Sequence, residues 1–178
     1  MKKSILISSL FVLLTLAGLR AQEVASLEHS LSGGYYNSLV QVDADTYVLA
    51  YQGSGQDGFI STFTVSADGT SITEVDQLEH DGVWFAQHFS MVHVYGDTYV
   101  LAYTGPSYDG FISTFTIDSD GDITAVKTQS LGNNLEHDTD KGIYNSIVQV
   151  DDDTYVLAYT GFRGGVGNVG IISTFTIS

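Results

Sequence analysis

The chain has 178 residues, with 21 Asp or Glu against six Lys or Arg, a formal charge of −15, and no cysteine. Such a surface repels phosphate backbones and anionic lipid, which speaks against nucleic acid and membrane partners, and without cysteine there is no disulfide framework. At 43% hydrophobic residues the chain is too apolar for a disordered acidic segment and long enough for one sizeable core.

At the front, Lys2-Lys3 give a charged start and Ile5 to Leu16 is an apolar run broken only by Ser8, Ser9 and Thr15. Ala17-Gly18-Leu19-Arg20-Ala21 then supplies small residues for a cut. This reads as a secretory signal peptide over residues 1–21, too short for a spanning helix, and the expected location is secreted or periplasmic. Residues 22–178 form one three-repeat β domain, whose only lysines and arginines are Lys127, Lys141 and Arg163.

That domain states one pattern three times. Asp45-Thr46-Tyr47-Val48-Leu49-Ala50-Tyr51 returns as Asp97 to Tyr103 and as Asp153 to Tyr159. Ile60-Ser61-Thr62-Phe63-Thr64 returns as Ile112 to Thr116 and Ile172 to Thr176, and Leu27-Glu28-His29 as Leu78-Glu79-His80 and Leu135-Glu136-His137. A period of about fifty residues marks an array of supersecondary units, none able to bury its apolar surface alone. The repeats span about 30–80, 81–137, and 138–178 together with 22–29.

Within the first repeat, Asn37 to Val42, Tyr47 to Tyr51, Phe59 to Val65 and Ile72 to Leu78 read as strands. Turn residues at Asp43-Ala44-Asp45, Gly53 to Gly58 and Ala67-Asp68-Gly69 separate them, which predicts an antiparallel meander. No window has helical spacing. Tyr47, Leu49 and Tyr51 point to one side of their strand and Val48 and Ala50 to the other, and both sides are apolar. A strand buried on both faces sits in a sheet sandwiched between neighbours.

The expected class is all-β and β-propeller-like, with three four-stranded antiparallel blades and the N-terminal strand closing a blade. Glu23 to His29 matches the fourth strand at Glu74 to His80, whereas the last repeat stops after its third. Pairing the two removes exposed edges. The pattern resembles the ring closure of WD-repeat and kelch-type propellers, and the repeats are similar to those of secreted bacterial multi-repeat proteins; the Trp-Asp dipeptide of WD repeats is absent. Because propellers have about 4–8 blades, three blades imply either a homodimer completing a six-bladed ring, which is the expectation, or a short piece of a longer array. A β-trefoil or β-prism, each with three four-stranded units, is the alternative. Gln41-Val42-Asp43-Ala44-Asp45 also resembles the start of the monocot mannose-binding lectin motif, without that motif's later Val and Tyr.

Candidate binding residues lie where the repeats diverge. Tyr36 and Tyr144 become His88, Asn37 and Asn145 become Phe89, and Trp84-Phe85 stands just upstream with the only tryptophan. In the third repeat the connection between second and third strands grows by four residues and carries Phe162 and Arg163. Aromatics and a lone Arg on a loop face are favoured binding anchors, so Tyr36, Trp84, Phe85, His88, Tyr144, Phe162 and Arg163 form the expected ligand site. The thrice-repeated Glu-His reads as structural, hydrogen-bonding the same backbone groups in each blade. Asp118, Asp120 and Asp122 have the spacing of a calcium loop without its closing glutamate, and an Asp-Gly turn explains them without an ion; no cofactor is otherwise expected. No nucleophile elbow, phosphate loop or zinc-protease motif occurs. The expected function is therefore a secreted, non-enzymatic, lectin-like binding module recognising an extracellular ligand such as a glycan. The alternative is a structural protein of cell-surface or matrix assembly.

Overall fold

Each repeat folds into its own antiparallel sheet. The computed structural model describes residues 21–128 and 132–177, so the signal peptide read at 1–21 lies outside the described residues except for Ala21. Sheet 1 has the order β1 (Tyr35–Gln41), β2 (Thr46–Gln52), β3 (Gly58–Val65) and β4 (Ile72–Asp81). Sheet 2 has β5 (Gln87–His93), β6 (Thr98–Thr104) and β7 (Gly110–Ile117), with both β8 (Ile123–Lys127) and β9 (Leu135–Asp138) on the outer edge of β7. Sheet 3 has β10 (Ile143–Gln149), β11 (Thr154–Arg163) and β12 (Gly167–Thr176). The only helical pieces among the described residues are the short 3-10 turns Ser54–Gln56 and Pro106–Tyr108, in the connections from second to third strand.

The sheets stack face to face with sheet 2 in the middle. Val48, Ala50 and Ile60 of sheet 1 pack on Tyr99, Leu101, Tyr103 and Phe115 of sheet 2. Val100, Ala102 and Ile112 on the opposite face of sheet 2 pack on Ile147, Tyr155, Leu157 and Tyr159 of sheet 3. The seams are thus two copies of one interface, as the double-sided apolar strand requires: a small Val-Ala-Ile face against a large Tyr-Leu-Tyr face. Polar side chains pin the copies in the same place. The Met91 N–H donates to Ser38 Oγ at 3.0 Å across the first seam, and the Ile147 N–H to Ser90 Oγ at 3.0 Å across the second. Likewise Gln52 Nε2 donates to the Ala86 carbonyl at 2.9 Å and Thr104 Oγ1 to that of Gly142 at 2.6 Å.

The fold is all-β with no closed ring, a propeller-like or three-fold, prism-like stack. Three expectations are corrected in detail. The fourth strand of sheet 2 is interrupted into β8 and β9, and sheet 3 has three strands. The insertion in the third repeat is not a loop, because β11 and β12 run on together, pairing Gly161 with Val169, Phe162 with Asn168 and Arg163 with Gly167. Finally, residues 21–34 are not in a strand, and they do not close sheet 3 of their own chain. They lie against sheet 1, where His29 meets Tyr51 with ring centroids 4.7 Å apart. Sheet 2 stands between sheets 1 and 3, which separates the free edge of β12 from the chain's own front end on sheet 1.

Candidate functional site

At the same place in all three first strands the ladder skips. Pairing jumps from Tyr35 to Ser38, from Gln87 to Ser90 and from Ile143 to Ser146, so two residues of the first strand oppose one of the second. The first extra residue in each bulge is Tyr36, His88 or Tyr144, and all three have left-handed backbones, with φ of 57°, 52° and 57°. A non-glycine residue held there costs on the order of 1–3 kcal/mol, and a bulge re-aims the side chain it carries. None of the three is Gly, Asn or Asp, the residues that adopt this conformation readily, so surrounding structure must hold it. Asn145 Nδ2 donates to the Gly142 carbonyl at 3.1 Å and Asn37 Nδ2 to that of Gly34 at 3.2 Å. In the second repeat Phe89 replaces the Asn and is buried in the first seam.

The bulges bring the three rings into one row. Tyr36 and His88 have centroids 4.9 Å apart, and His88 and Tyr144 are 4.3 Å apart, each pair tilted by 59°. His88 Nδ1 is 3.2 Å from Thr104 Oγ1, and partial burial holds its pKa below the usual imidazole range. The row is a shelf of ring faces edged by two phenol hydroxyls and one imidazole whose burial disfavours its charged form.

Trp84 and Phe85, in the connection from sheet 1 to sheet 2, also have left-handed backbones. Trp84 is 66% exposed, not buried in a seam. It borders a cavity of about 390 Å³ shared with Tyr35, Gln52 and Gln56 of the first repeat. Phe85 faces Tyr108 with centroids 6.1 Å apart. Tyr35, Gln56 and Tyr108 were not singled out from sequence. The available signal was that Gln56 and Tyr108 occupy one repeat position, where the Ala86 N–H donates to the Gln56 carbonyl at 3.1 Å and the Gly142 N–H to the Tyr108 carbonyl at 2.8 Å.

Phe162 and Arg163 are not brought to this row. They end the β11–β12 hairpin, where the Arg163 guanidinium donates to the Phe162 carbonyl at 3.3 Å, and no ring contact among the described residues joins Phe162 to the others. The acidic turn is self-contained: Asp118 Oδ1 accepts from the backbone of Asp120 at 2.9 Å and of Asp122 at 3.0 Å. Among the described residues no three His, Cys, Asp or Glu side chains gather as they would around a metal ion.

The repeated histidine packs its ring rather than hydrogen-bonding backbone, which corrects the expectation above. His80 ends β4 and reaches across the first seam edge-on to Tyr103, with centroids 5.0 Å apart, and His137 meets Tyr159 in the same way at 4.7 Å. Burial among rings lowers the His80 pKa to about 3 and that of His137 to about 4, so both are neutral. No protein-family model matches the chain, and no curated protein matches it either.

Proposed function

We propose that this protein is a secreted, non-enzymatic binding module of propeller-like blades, whose ligand is an uncharged glycan lying on the Tyr36–His88–Tyr144 row with Trp84 at its side. The observation that carries this reading is the row itself. Three equivalent positions bear the cost of a left-handed backbone, and the result is a continuous aromatic shelf rather than three separate side chains. Core packing gives no return for that cost, since Tyr36 and Tyr144 are exposed. Stacked rings edged by hydroxyls and an imidazole suit a sugar, which has apolar C–H faces and a rim of hydroxyl groups. The excess of 21 carboxylates over six lysines and arginines disfavours sulfated or uronic glycans.

The test is binding of the purified protein to an array of neutral and acidic glycans, followed by titration calorimetry on the best neutral one. Tyr144→Ala and Trp84→Ala should each weaken binding by about tenfold or more, the level of an interface anchor. Both side chains are exposed, so thermal unfolding should move by no more than about 2 °C, the equivalent of a neutral surface substitution. Saturable binding to no neutral glycan, or binding indifferent to both substitutions, would remove the proposal.

A further inference from the structure

We infer that the two outer faces of the stack are the halves of a third seam, closed head to tail by a second copy of the chain whose β12 takes residues 23–29 as its fourth strand. The faces are complementary because each is a repeat of a face already buried. On sheet 1 the large face is open at one end: Leu39 is 62% exposed, whereas its counterparts Met91 and Ile147 are buried, while Leu49, Tyr51 and Phe63 already form a buried cluster. A cavity of about 310 Å³ lies there, lined by Leu39, Tyr47, Leu49, Phe63, Val65 and Ile72 of sheet 1 and by Leu27 and His29 of the front segment. The same positions in sheet 2 are Met91, Tyr99, Leu101, Phe115, Ile117 and Ile123, and there Val48, Ala50 and Ile60 of sheet 1 fill the space. On sheet 3 the small face is open. Ile172 is 76% exposed where Ile60 and Ile112 are buried, and Val156 and Ala158 are only part-buried. Each chain thus presents the plug at one end and the socket at the other.

The front segment is already placed for this. In the two internal seams, the histidine from the outer strand of one sheet caps the tyrosine of the next, His80 on Tyr103 and His137 on Tyr159. His29 caps Tyr51 at 4.7 Å in the same edge-on manner, although no sheet precedes sheet 1 among the described residues. Leu27 and His29 therefore stand where the outer strand of a preceding sheet would place them. A glycine makes the other wall of each histidine slot: a methyl group at Gly58 would fall 2.6 Å from His80 Nε2, and one at Gly110 would run into the His137 ring. At the equivalent Gly170 such a group would meet nothing within 4 Å. His29 has its tyrosine and, beside it, Gly34, as His137 has Gly142, but no third-strand glycine, and Gly170 has no histidine. One copy supplies what the other lacks.

The register follows from the pairs Ile60 with Leu78 in sheet 1 and Ile112 with Leu135 in sheet 2. Leu27 comes opposite Ile172 of the partner subunit, and the Leu39 N–H comes to the partner's Ser146, as Met91 comes to Ser38. Such a contact is heterologous, and it closes with two chains if the stack turns as a propeller does, giving six sheets, within the range of known rings. Closure also extends the aromatic row, since Tyr144 then neighbours Tyr36 of the partner subunit.

The chain lacks cysteine, so Leu27→Cys combined with Ile172→Cys makes a clean pair. Facing residues of antiparallel strands have Cα atoms about 4.5–5.5 Å apart, within disulfide reach. Residues 22–178 contain every strand described. On oxidation this chain with both substitutions should run as a single covalent dimer, and with either alone as a monomer. Unsubstituted, it should scatter light as a dimer at micromolar concentration. Ile172→Asp, at an exposed position, should give a monomer with unchanged β circular dichroism. A compact unsubstituted monomer, an intrachain disulfide, a dimer the pair does not cross-link, or a ladder of longer polymers would each overturn the inference.

Discussion

The repeated histidine shows how one side chain decides the behaviour of a seam. His80 is fully buried against the edges of Tyr103, Phe89 and Phe115, and protonating it there would place a charge among rings. Its pKa near 3 and that of His137 near 4 lie below the ordinary 6.5. Below pH 6.5 the unfolded chain therefore takes up protons that the native chain refuses at these two positions, with His88 adding in the same direction, and stability falls as pH falls. Asp81 acts oppositely, because burial raises its pKa to about 6, and Asp109 is raised in the same direction. The two histidines outweigh them over the window from pH 6 to 4.5, where the net loss should be about 1 kcal/mol per pH unit. Urea unfolding at steps through that window measures it. His80→Phe keeps a ring on Tyr103 and should flatten the slope; a midpoint rising with acid would show that the histidines are not buried neutral.

These residue roles were only partly legible in the sequence. Leu-Glu-His repeating three times announced a structural part, but hydrogen bonding and ring packing leave the same repeat. The aromatic row was visible only as a substitution of His88 for Tyr36 and Tyr144. Nothing in a Tyr or a His signals a left-handed backbone, since the bulge is imposed by the pairing of the flanking residues and not by the side chain itself.

At the scale of elements, strands and turns were readable because each depends on local chemistry. Alternation on the second strand placed both its faces, and Asp43, Asp68, Asp118 and Asp151 fold their turns by accepting backbone N–H groups. What joins sheet to sheet was not readable, since it depends on residues far apart in the chain. The hydroxyl pins are the clearest case. Thr104 is fully buried, and its Oγ1 satisfies the Gly142 carbonyl. Thr104→Val keeps the shape and removes the donor, so it should cost about 1–3 kcal/mol, the level of a buried acceptor left unmatched. Ser90→Ala strips the acceptor from the Ile147 N–H and should cost a similar amount. Chemical denaturation of the two variants and their combination checks this. The effects should add, or nearly so, only if the pins act independently along the second seam.

Over the whole molecule, the repeat predicts its own continuation, and charge sets the conditions under which that continuation forms. Residues 22–178 hold all 21 carboxylates against Lys127, Lys141 and Arg163, a formal charge of 3 − 21 = −18, so bringing two copies together works against a long-range repulsion. The repulsion is also local. Asp43 of sheet 1 lies near Tyr99 and Asp97 of sheet 2, and both carboxylates raise the Tyr99 pKa after burial has done so. By the repeat's equivalence, a third seam sets Asp151 of one copy near Asp45 and Tyr47 of the other. No lysine or arginine stands in those turns to compensate. The attraction comes from the apolar faces, which salt does not screen, while the repulsion reaches about 30 Å at 0.01 M salt and only about 8 Å at 0.15 M. Dimerisation should therefore tighten on the order of tenfold between those two concentrations, as expected for several screened like-charge pairs. Sedimentation across the salt series, with the Ile172→Asp chain as the monomer standard, reads the effect directly. Association that weakened with salt would mean that ion pairs rather than the Val-Ala-Ile and Tyr-Leu-Tyr faces hold the copies together.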